Sequence, residues 1–156
     1  YKVWVPLKEQ ANIDESLKKS LERKLSLRLP KENLDRVEEI DVLWMRNEMI
    51  EYEFEVENTT AITYAIVRGA NIIGDRVNRV IVIPEERRNL LYRKITEPAL
   101  KERIEKDNWV YVFYKDIETF FEQFKTRKKV EIAKLRDRMK PLSQVRTDIQ
   151  QTLLEY

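Results

Sequence analysis

Residues 40–57 read IDVLWMRNEMIEYEFEVE, and this stretch decides the fold. Ile40 to Met45 is short, apolar and rich in residues that favour strands. A turn of Arg46, Asn47 and Glu48 follows, and Met49 to Glu57 then alternates apolar and acidic residues with a period of two. The stretch therefore predicts a β-hairpin.

The second strand of this hairpin carries a row of glutamates. Successive side chains of a strand point to opposite faces, so one face is predicted to be core and the other charged. A carboxylate that loses water without a partner is costly, so the charged row must face solvent or a cation. The apolar face holds Ile50, Tyr52, Phe54 and Val56, and the charged face holds Glu51, Glu53, Glu55 and Glu57.

The two ends of the acidic row have different expected roles. We expect Glu51 and Glu53, near the turn, to face solvent, because charge on an exposed strand face prevents edge pairing. Glu55 and Glu57 end the strand just before a predicted helix, where α/β folds open a crevice for ligands. Asp41 interrupts the apolar partner strand, and two interpretations stay open: a cation ligand, or a strand-start residue bonded to backbone amides.

Asp41, Glu55 and Glu57 together suit a divalent metal. Mg²⁺ takes hard oxygen ligands and keeps waters that can attack phosphorus. The chain contains no cysteine and no histidine, which excludes disulfides, zinc fingers and histidine-dependent sites. A metal here must be held by oxygen, so the sequence favours magnesium, with manganese as an alternative, and phosphodiester hydrolysis as the chemistry.

Patterns on both sides of the hairpin predict the remaining elements. Before the hairpin, the patterns predict a strand at residues 2–5, a helix capped by Asn12 or Asp14 with Ile13, Leu17, Leu21 and Leu25 on one face, and a short helix at 31–39. After it, they predict a helix with an apolar stripe from Ile62 to Ile73, for which Thr59 and Thr60 are cap candidates, and a buried parallel strand at 79–83. The last elements are a helix from Pro84 divided at Pro98, a strand at 109–113, and a core helix with Ile117, Phe120, Phe121 and Phe124. This order predicts an α/β (α+β) fold: a three-layer mixed β-sheet flanked by helices.

Residues 1–125 are predicted to form this domain, and residues 126–156 a basic helical extension. Its cations, such as Lys128 and Lys129, suit DNA phosphates, whereas its apolar seam suits a partner helix and a homodimer. The sequence does not decide between these roles. Because Tyr1 is followed at once by an apolar strand, we also expect the chain to be a fragment of a larger protein.

Composition limits the class of protein. The 156 residues, 42% of them hydrophobic, suffice for one continuous core. The net charge of +2 neither supports nor excludes DNA as a partner. No apolar run approaches the roughly 20 residues of a membrane span, so no membrane segment is expected.

The segments IDVLW at 40–44 and FEVE at 54–57, with Thr59 and Thr60 after them, resemble the PD-(D/E)XK restriction-endonuclease-like superfamily, and more narrowly prokaryotic restriction-system proteins. The similarity covers roughly residues 1–125. It implies a cytoplasmic, Mg²⁺-dependent DNA endonuclease of a restriction or DNA-defence system. The fold usually has a further helix before its first strand.

By this resemblance each acidic residue takes one place in the motif. Asp41 takes the place of the motif Asp and Glu55 that of the (D/E), and both are implied metal ligands. Two departures are present: Ile40 replaces the motif Pro, and Glu57 replaces the Lys that normally orients the attacking water. A catalytically inactive module that binds DNA or assembles a larger protein is the alternative, and a protein-interaction domain a third.

Several residues outside the motif are candidate DNA contacts. Tyr64 and Arg68 lie one turn apart on the helix after the motif, where they face substrate or supply the missing positive charge. Arg87 and Arg88, at a helix start, suit phosphate contacts. For Tyr64 and Arg68 the alternative is an ordinary solvent-facing or edge packing position, and for Arg87 and Arg88 it is a solvated helix face.

Overall fold

A computed structural model describes residues 1–27, 29–58, 62–72, 76–127 and 131–145. Within these ranges a six-stranded sheet forms the centre of the fold, and neighbouring strands follow chain order. The strands are β1 (Lys2–Trp4), β2 (Val42–Arg46), β3 (Met49–Val56), β4 (Asn78–Ile83), β5 (Val110–Phe113) and β6 (Lys140–Pro141).

The sheet is mixed. Strands β1, β2 and β3 pair antiparallel, β3, β4 and β5 pair parallel, and β6 returns antiparallel to β5. Parallel neighbours need crossover connections, and helices supply them between β3 and β4 and between β4 and β5. The carboxyl ends of three adjacent strands therefore lie at one edge of the sheet.

Eight α-helices lie in the described ranges: α1 (Leu7–Gln10), α2 (Glu15–Lys18), α3 (Lys31–Val37), α4 (Ile62–Gly69), α5 (Arg88–Ile95), α6 (Pro98–Lys106), α7 (Tyr114–Arg127) and α8 (Ile132–Arg136). Short 3-10 helices cover Glu85–Arg87 and Leu142–Gln144. No helix in these ranges combines the length and the apolar character that a membrane span requires.

Apolar clusters lie on both faces of the sheet. On one face, Ile81 and Ile83 of β4 pack with residues of α4, α5 and α6. On the other, Val80 and Val82 of the same strand pack with Tyr52, Phe54 and residues of α7 and α8. The alternation along β4 explains how one strand serves both clusters. The predicted three-layer mixed α/β fold is confirmed.

The predicted hairpin is present as β2 and β3. Its loop is the pair Asn47 and Glu48, with positive φ angles of 52° and 62°. Two such residues in succession match the twist of the flanking strands, which favours a two-residue hairpin loop. A register shift between Trp44 and Met45 adds a local irregularity to the pairing.

The long helix predicted around Ile13 to Leu25 is wrong. Only four residues, Glu15–Lys18, form α2, and Asp14 caps it by accepting from the backbone N–H of Ser16. The segment after α2 hydrogen-bonds to β1 instead of continuing the helix. The backbone N–H of Val3 donates to Ser20 O, and the N–H of Glu22 donates to Val3 O. Leu25 is buried, but in an irregular segment.

Residues 131–145 also differ from the predicted appended tail. Pro141 pairs with Val110 in the sheet, and Leu142 and Val145 are completely buried in the cluster that covers Ile81. This segment is therefore part of the core. Leu142 and Val145 begin the apolar seam that was predicted to dock a partner helix, and they are buried in this chain's own core instead. Residues 128–130 and 146–156, and with them Lys128, Lys129 and the rest of the predicted seam, lie outside the described residues.

The stripe on α7 is less buried than predicted. Ile117 and Phe120 are half-buried, and Phe121 is 50% exposed. The stripe on α4 is confirmed, with Ile62 and Ile66 completely buried. The cap candidates Thr59 and Thr60, like Ile73, lie outside the described residues.

Candidate functional site

Three of the four glutamates in the acidic row are buried. Glu53 and Glu55 are completely buried, and Glu57, directly after the strand, is only 3% exposed. The expectation that Glu53 faces solvent is therefore wrong. Glu51 is half-buried, accepts a hydrogen bond from the Tyr1 hydroxyl and pairs with Arg46.

Glu53 lies against α4 and the chain before β5. A Cβ atom on Gly69 would come within 2.0 Å of Glu53 Oε1 and 2.7 Å of the Trp109 ring. Arg79 approaches with its Nε 3.8 Å from Glu53 Oε2, and neither Glu53 oxygen accepts a hydrogen bond from a described residue. Burial raises the pKa of Glu53 to about 8, although Arg79 opposes the shift.

Glu55 is held by a guanidinium group. Arg68 Nε donates to Glu55 Oε1 at 2.9 Å, and Arg68 Nη2 donates to Oε2. Burial raises the pKa of Glu55 to about 7, the hydrogen bonds from Arg68 lower it, and the charges of Asp41 and Glu57 raise it further. The buried carboxylate thus has one bidentate cationic partner and two anionic neighbours.

Asp41 lies opposite Glu55. Val42 pairs with Phe54 and Leu43 with Glu53, so the next position along β2 faces Glu55 and shares its side of the sheet. Asp41 Oδ2 accepts from the backbone N–H of Val56 at 2.7 Å. Asp41 therefore accepts one hydrogen bond from a backbone amide, and its second oxygen, Oδ1, accepts no hydrogen bond from the described residues.

Glu57 completes the cluster at the carboxyl ends of the parallel strands. Its backbone N–H donates to Val82 O at 2.8 Å, next to the end of β4. Burial raises its pKa, and Asp41 raises it further, while Arg68 and Arg87 oppose the shift. This edge is where open α/β sheets place their ligands.

Tyr114 belongs to the same cluster and was not among the predicted site residues. It is the first residue after β5, and its pKa is raised by burial and by the nearby charges of Glu57 and Asp41. Its position directly after the predicted strand at 109–113 was the signal available in the sequence. Nothing in the sequence, however, placed that strand beside the other two.

The remaining predicted residues separate into two groups. Arg68 and Arg87 lie close to the acidic cluster: Arg68 lowers the pKa of Glu55, and both arginines lower the pKa of Glu57. Arg88 pairs instead with Glu85 at 2.8 Å and lies over the ring of Phe113. Tyr64 is 71% exposed on α4.

The carboxylates do not form a ready-made metal cage. Among the residues that the structure describes, no three acidic side chains are grouped closely enough to hold a metal ion between them. What the geometry provides is a pair of opposed carboxylates, Asp41 and Glu55, with Glu57 and Arg68 close enough to shift the pKa of Glu55 and Arg87 close enough to lower that of Glu57. Such an arrangement suits a ligand that carries both negative oxygens and a cation.

Comparison with models of known families gives a match over most of the chain. A family model described as the type II restriction enzyme NmeDI C-terminal domain matches residues 5–141. The match includes Asp41, Glu55, Glu57 and Arg68, and strands β2 to β6 in full. Searches among curated proteins and among solved structures gave no match. The chain is thus a restriction-system protein, and it belongs to the family of type II restriction enzyme NmeDI C-terminal domains.

Proposed function

We propose that this chain is the DNA-cleaving part of a restriction enzyme and that it works on the PD-(D/E)XK plan. The observation that carries the proposal is the placement of Asp41 opposite Glu55 at the carboxyl ends of the parallel strands, with Glu57 beside them. Membership of a restriction-enzyme family supports DNA as the substrate. The reaction proposed is hydrolysis of a phosphodiester bond.

Asp41 and Glu55 fit Mg²⁺ in donor type and number. Protein sites commonly hold Mg²⁺ through one or two carboxylates, with waters and substrate phosphates as the other ligands, so a cage of three carboxylates is not required. Mn²⁺ accepts the same oxygen donors. When bound, the metal would polarise the phosphate and activate a water for attack. Asp41 would offer Oδ1, since Oδ2 is engaged by Val56.

The neighbouring side chains supply the other roles. Glu57 stands where the motif has Lys, and its raised pKa suits a carboxylate that accepts a proton from the attacking water. Arg68 supplies positive charge beside Glu55. Arg87, whose charge lowers the pKa of Glu57, would contact a phosphate of the DNA.

A second candidate function is a DNA-binding module without catalysis. One observation favours it: Arg68 engages both oxygens of Glu55, and a backbone amide engages Asp41, so these groups already have partners in the protein. In that case the cluster would serve only to hold β2, β3 and α4 together. The two candidates differ in their response to metal.

The test compares the wild type with Glu55→Gln on plasmid and genomic DNA in Mg²⁺, Mn²⁺ or EDTA. We expect cleavage by the wild type in either metal, none in EDTA, and a loss of roughly 10²–10⁴-fold in the variant, because a metal ligand supplies several kcal/mol of transition-state stabilisation. Glu51→Gln, on the same strand but paired with Arg46, is the matched control and should cleave normally. Binding in EDTA without cleavage in any metal would favour the second candidate.

A further inference from the structure

The ion pair between Arg68 and Glu55 joins two side chains that differ in solvent exposure. The Glu55 side chain is completely buried, whereas the Arg68 side chain is 25% exposed on α4. Both planar groups meet edge to edge through two hydrogen bonds. If the pair opens, the guanidinium is the group with a route to solvent.

This pair competes with a cation. A carboxylate whose two oxygens face a guanidinium presents that positive charge to any approaching metal, and like charges at this range repel. A metal that uses Glu55 therefore requires Arg68 to move. Its charge must then find another anion, since a partly buried arginine without a partner is costly.

A phosphodiester provides that anion. The five donors of a guanidinium form a fixed fork that matches carboxylate and phosphate equally well. Arg68 lies within the field of Asp41 and Glu57 as well as Glu55, so a small movement keeps it in the same cluster. One fork can thus serve two acceptors in turn.

We propose that Arg68 is a positioning residue that exchanges between Glu55 and a phosphate of the nucleic acid, so that the divalent metal and the DNA bind cooperatively. This inference rests on the proposed function. Arg68 neutralises Glu55 while the two are paired, and the arrival of a phosphate frees Glu55. By linkage, the metal must tighten DNA binding by the same factor as DNA tightens metal binding.

Calorimetric titration with Ca²⁺ tests the exchange. The titration is run on the full chain alone, with a random-sequence duplex of about 30 base pairs, which spans several helical turns, and with dimethyl phosphate. We expect the duplex to tighten Ca²⁺ binding at least ~5-fold in the wild type. If dimethyl phosphate tightens Ca²⁺ binding to a similar extent, a free phosphodiester is enough to release Glu55 from Arg68. If dimethyl phosphate leaves Ca²⁺ binding unchanged while the duplex tightens it, the coupling requires the intact duplex.

Two variants separate the fork from its charge. Arg68→Gln should bind Ca²⁺ several-fold more tightly than the wild type in the absence of DNA, and the duplex should change its affinity by less than about twofold, below the usual range of coupling. Arg68→Lys keeps the charge without the fork and should show reduced coupling, whereas a purely electrostatic role would leave it like the wild type. Arg93→Gln removes an exposed cation from α5 and is the matched control.

The outcomes distinguish this inference from the proposed function. Equal Ca²⁺ affinity with and without duplex in the wild type, or unchanged coupling in Arg68→Lys, would overturn the exchange and leave the nuclease proposal standing. If none of the proteins binds Ca²⁺, whether alone, with the duplex or with dimethyl phosphate, both the exchange and the nuclease proposal would be overturned. Arg68→Lys keeps the inference testable should Arg68→Gln fail to fold.

Discussion

Glu53 is a carboxyl group whose buried environment disfavours its ionised form. It is completely buried, and Arg79 is its only charged partner within ion-pair distance among the described residues. An ionised carboxyl group in that position lacks the donors that normally compensate for lost water. The raised pKa, about 8, predicts that Glu53 carries a proton at neutral pH. Gly69 leaves the space that this side chain occupies.

This protonation predicts how stability depends on pH. The folded chain keeps the proton on Glu53 up to about pH 8, whereas an unfolded chain releases it near the ordinary pKa of 4.5. Between these values the folded state binds more protons, so the free energy of unfolding should fall as pH rises. Glu53→Gln should remove this part of the fall. At pH 9 it should be more stable than the wild type by up to about 5 kcal/mol, because each unit of pKa difference corresponds to about 1.4 kcal/mol.

Urea denaturation at pH 5, 7 and 9 measures the effect. At pH 5 both proteins carry a neutral group at position 53, so their stabilities should be similar. Glu51→Gln, two residues earlier on β3 and half-buried, should follow the wild-type pH profile. Parallel profiles for Glu53→Gln and the wild type would show that Glu53 is ionised in the folded protein.

Among the secondary-structure elements, those whose residues follow a regular pattern within one continuous stretch could be predicted from the sequence. The hairpin of β2 and β3 was predictable because a period of two and a polar turn lie within one continuous stretch. The helix α4 was predictable because Ile62, Ala65 and Ile66 recur at helical spacing. The position of Asp41 opposite Glu55 follows from the same hairpin.

What remained unpredictable depends on long-range packing. Periodicity showed that Glu53 and Glu55 share a face but not that α4 and the chain before β5 cover it. The leucines at 17, 21 and 25 have helical spacing, yet the backbone of β1 binds the chain at Ser20 and Glu22. Likewise the buried role of Leu142 depends on β6, a two-residue strand without a sequence signal of its own.

The segment around β6 gives a prediction at this scale. Leu142 is completely buried in the cluster formed by β4, β5 and α4 to α6, although it lies in the segment whose sequence suggested an appended tail. Leu142→Ala should therefore destabilise the protein by about 2–4 kcal/mol through the cavity that it leaves. Thermal or urea unfolding measures the loss. Leu17→Ala, at a site 57% exposed, is the control and should change stability by less than about 0.5 kcal/mol. A similarly small effect of Leu142→Ala would place this segment outside the core.

For the whole molecule, the mixed sheet explains why the candidate site is where it is. Parallel strands β3, β4 and β5 end at one edge, and the antiparallel partner β2 brings Asp41 to that edge from the other direction. Residues far apart in sequence therefore come together at this edge, and the charges of Asp41 and Glu57 raise the pKa of Tyr114. A chain with a net charge of only +2 offers little overall attraction to DNA, so the positive charge beside the carboxylates matters more.

The most direct test of the account is a time course of supercoiled plasmid in Mg²⁺ with the wild type and Asp41→Asn side by side. Asparagine keeps an oxygen that can accept from the Val56 N–H, so the fold should be retained while one proposed metal ligand loses its charge. We predict that the wild type converts the plasmid to open-circular and linear forms and that Asp41→Asn, with an unchanged melting temperature, leaves it supercoiled. Equal cleavage by both proteins, or none by either, would contradict the assignment of this acidic cluster as a nuclease site.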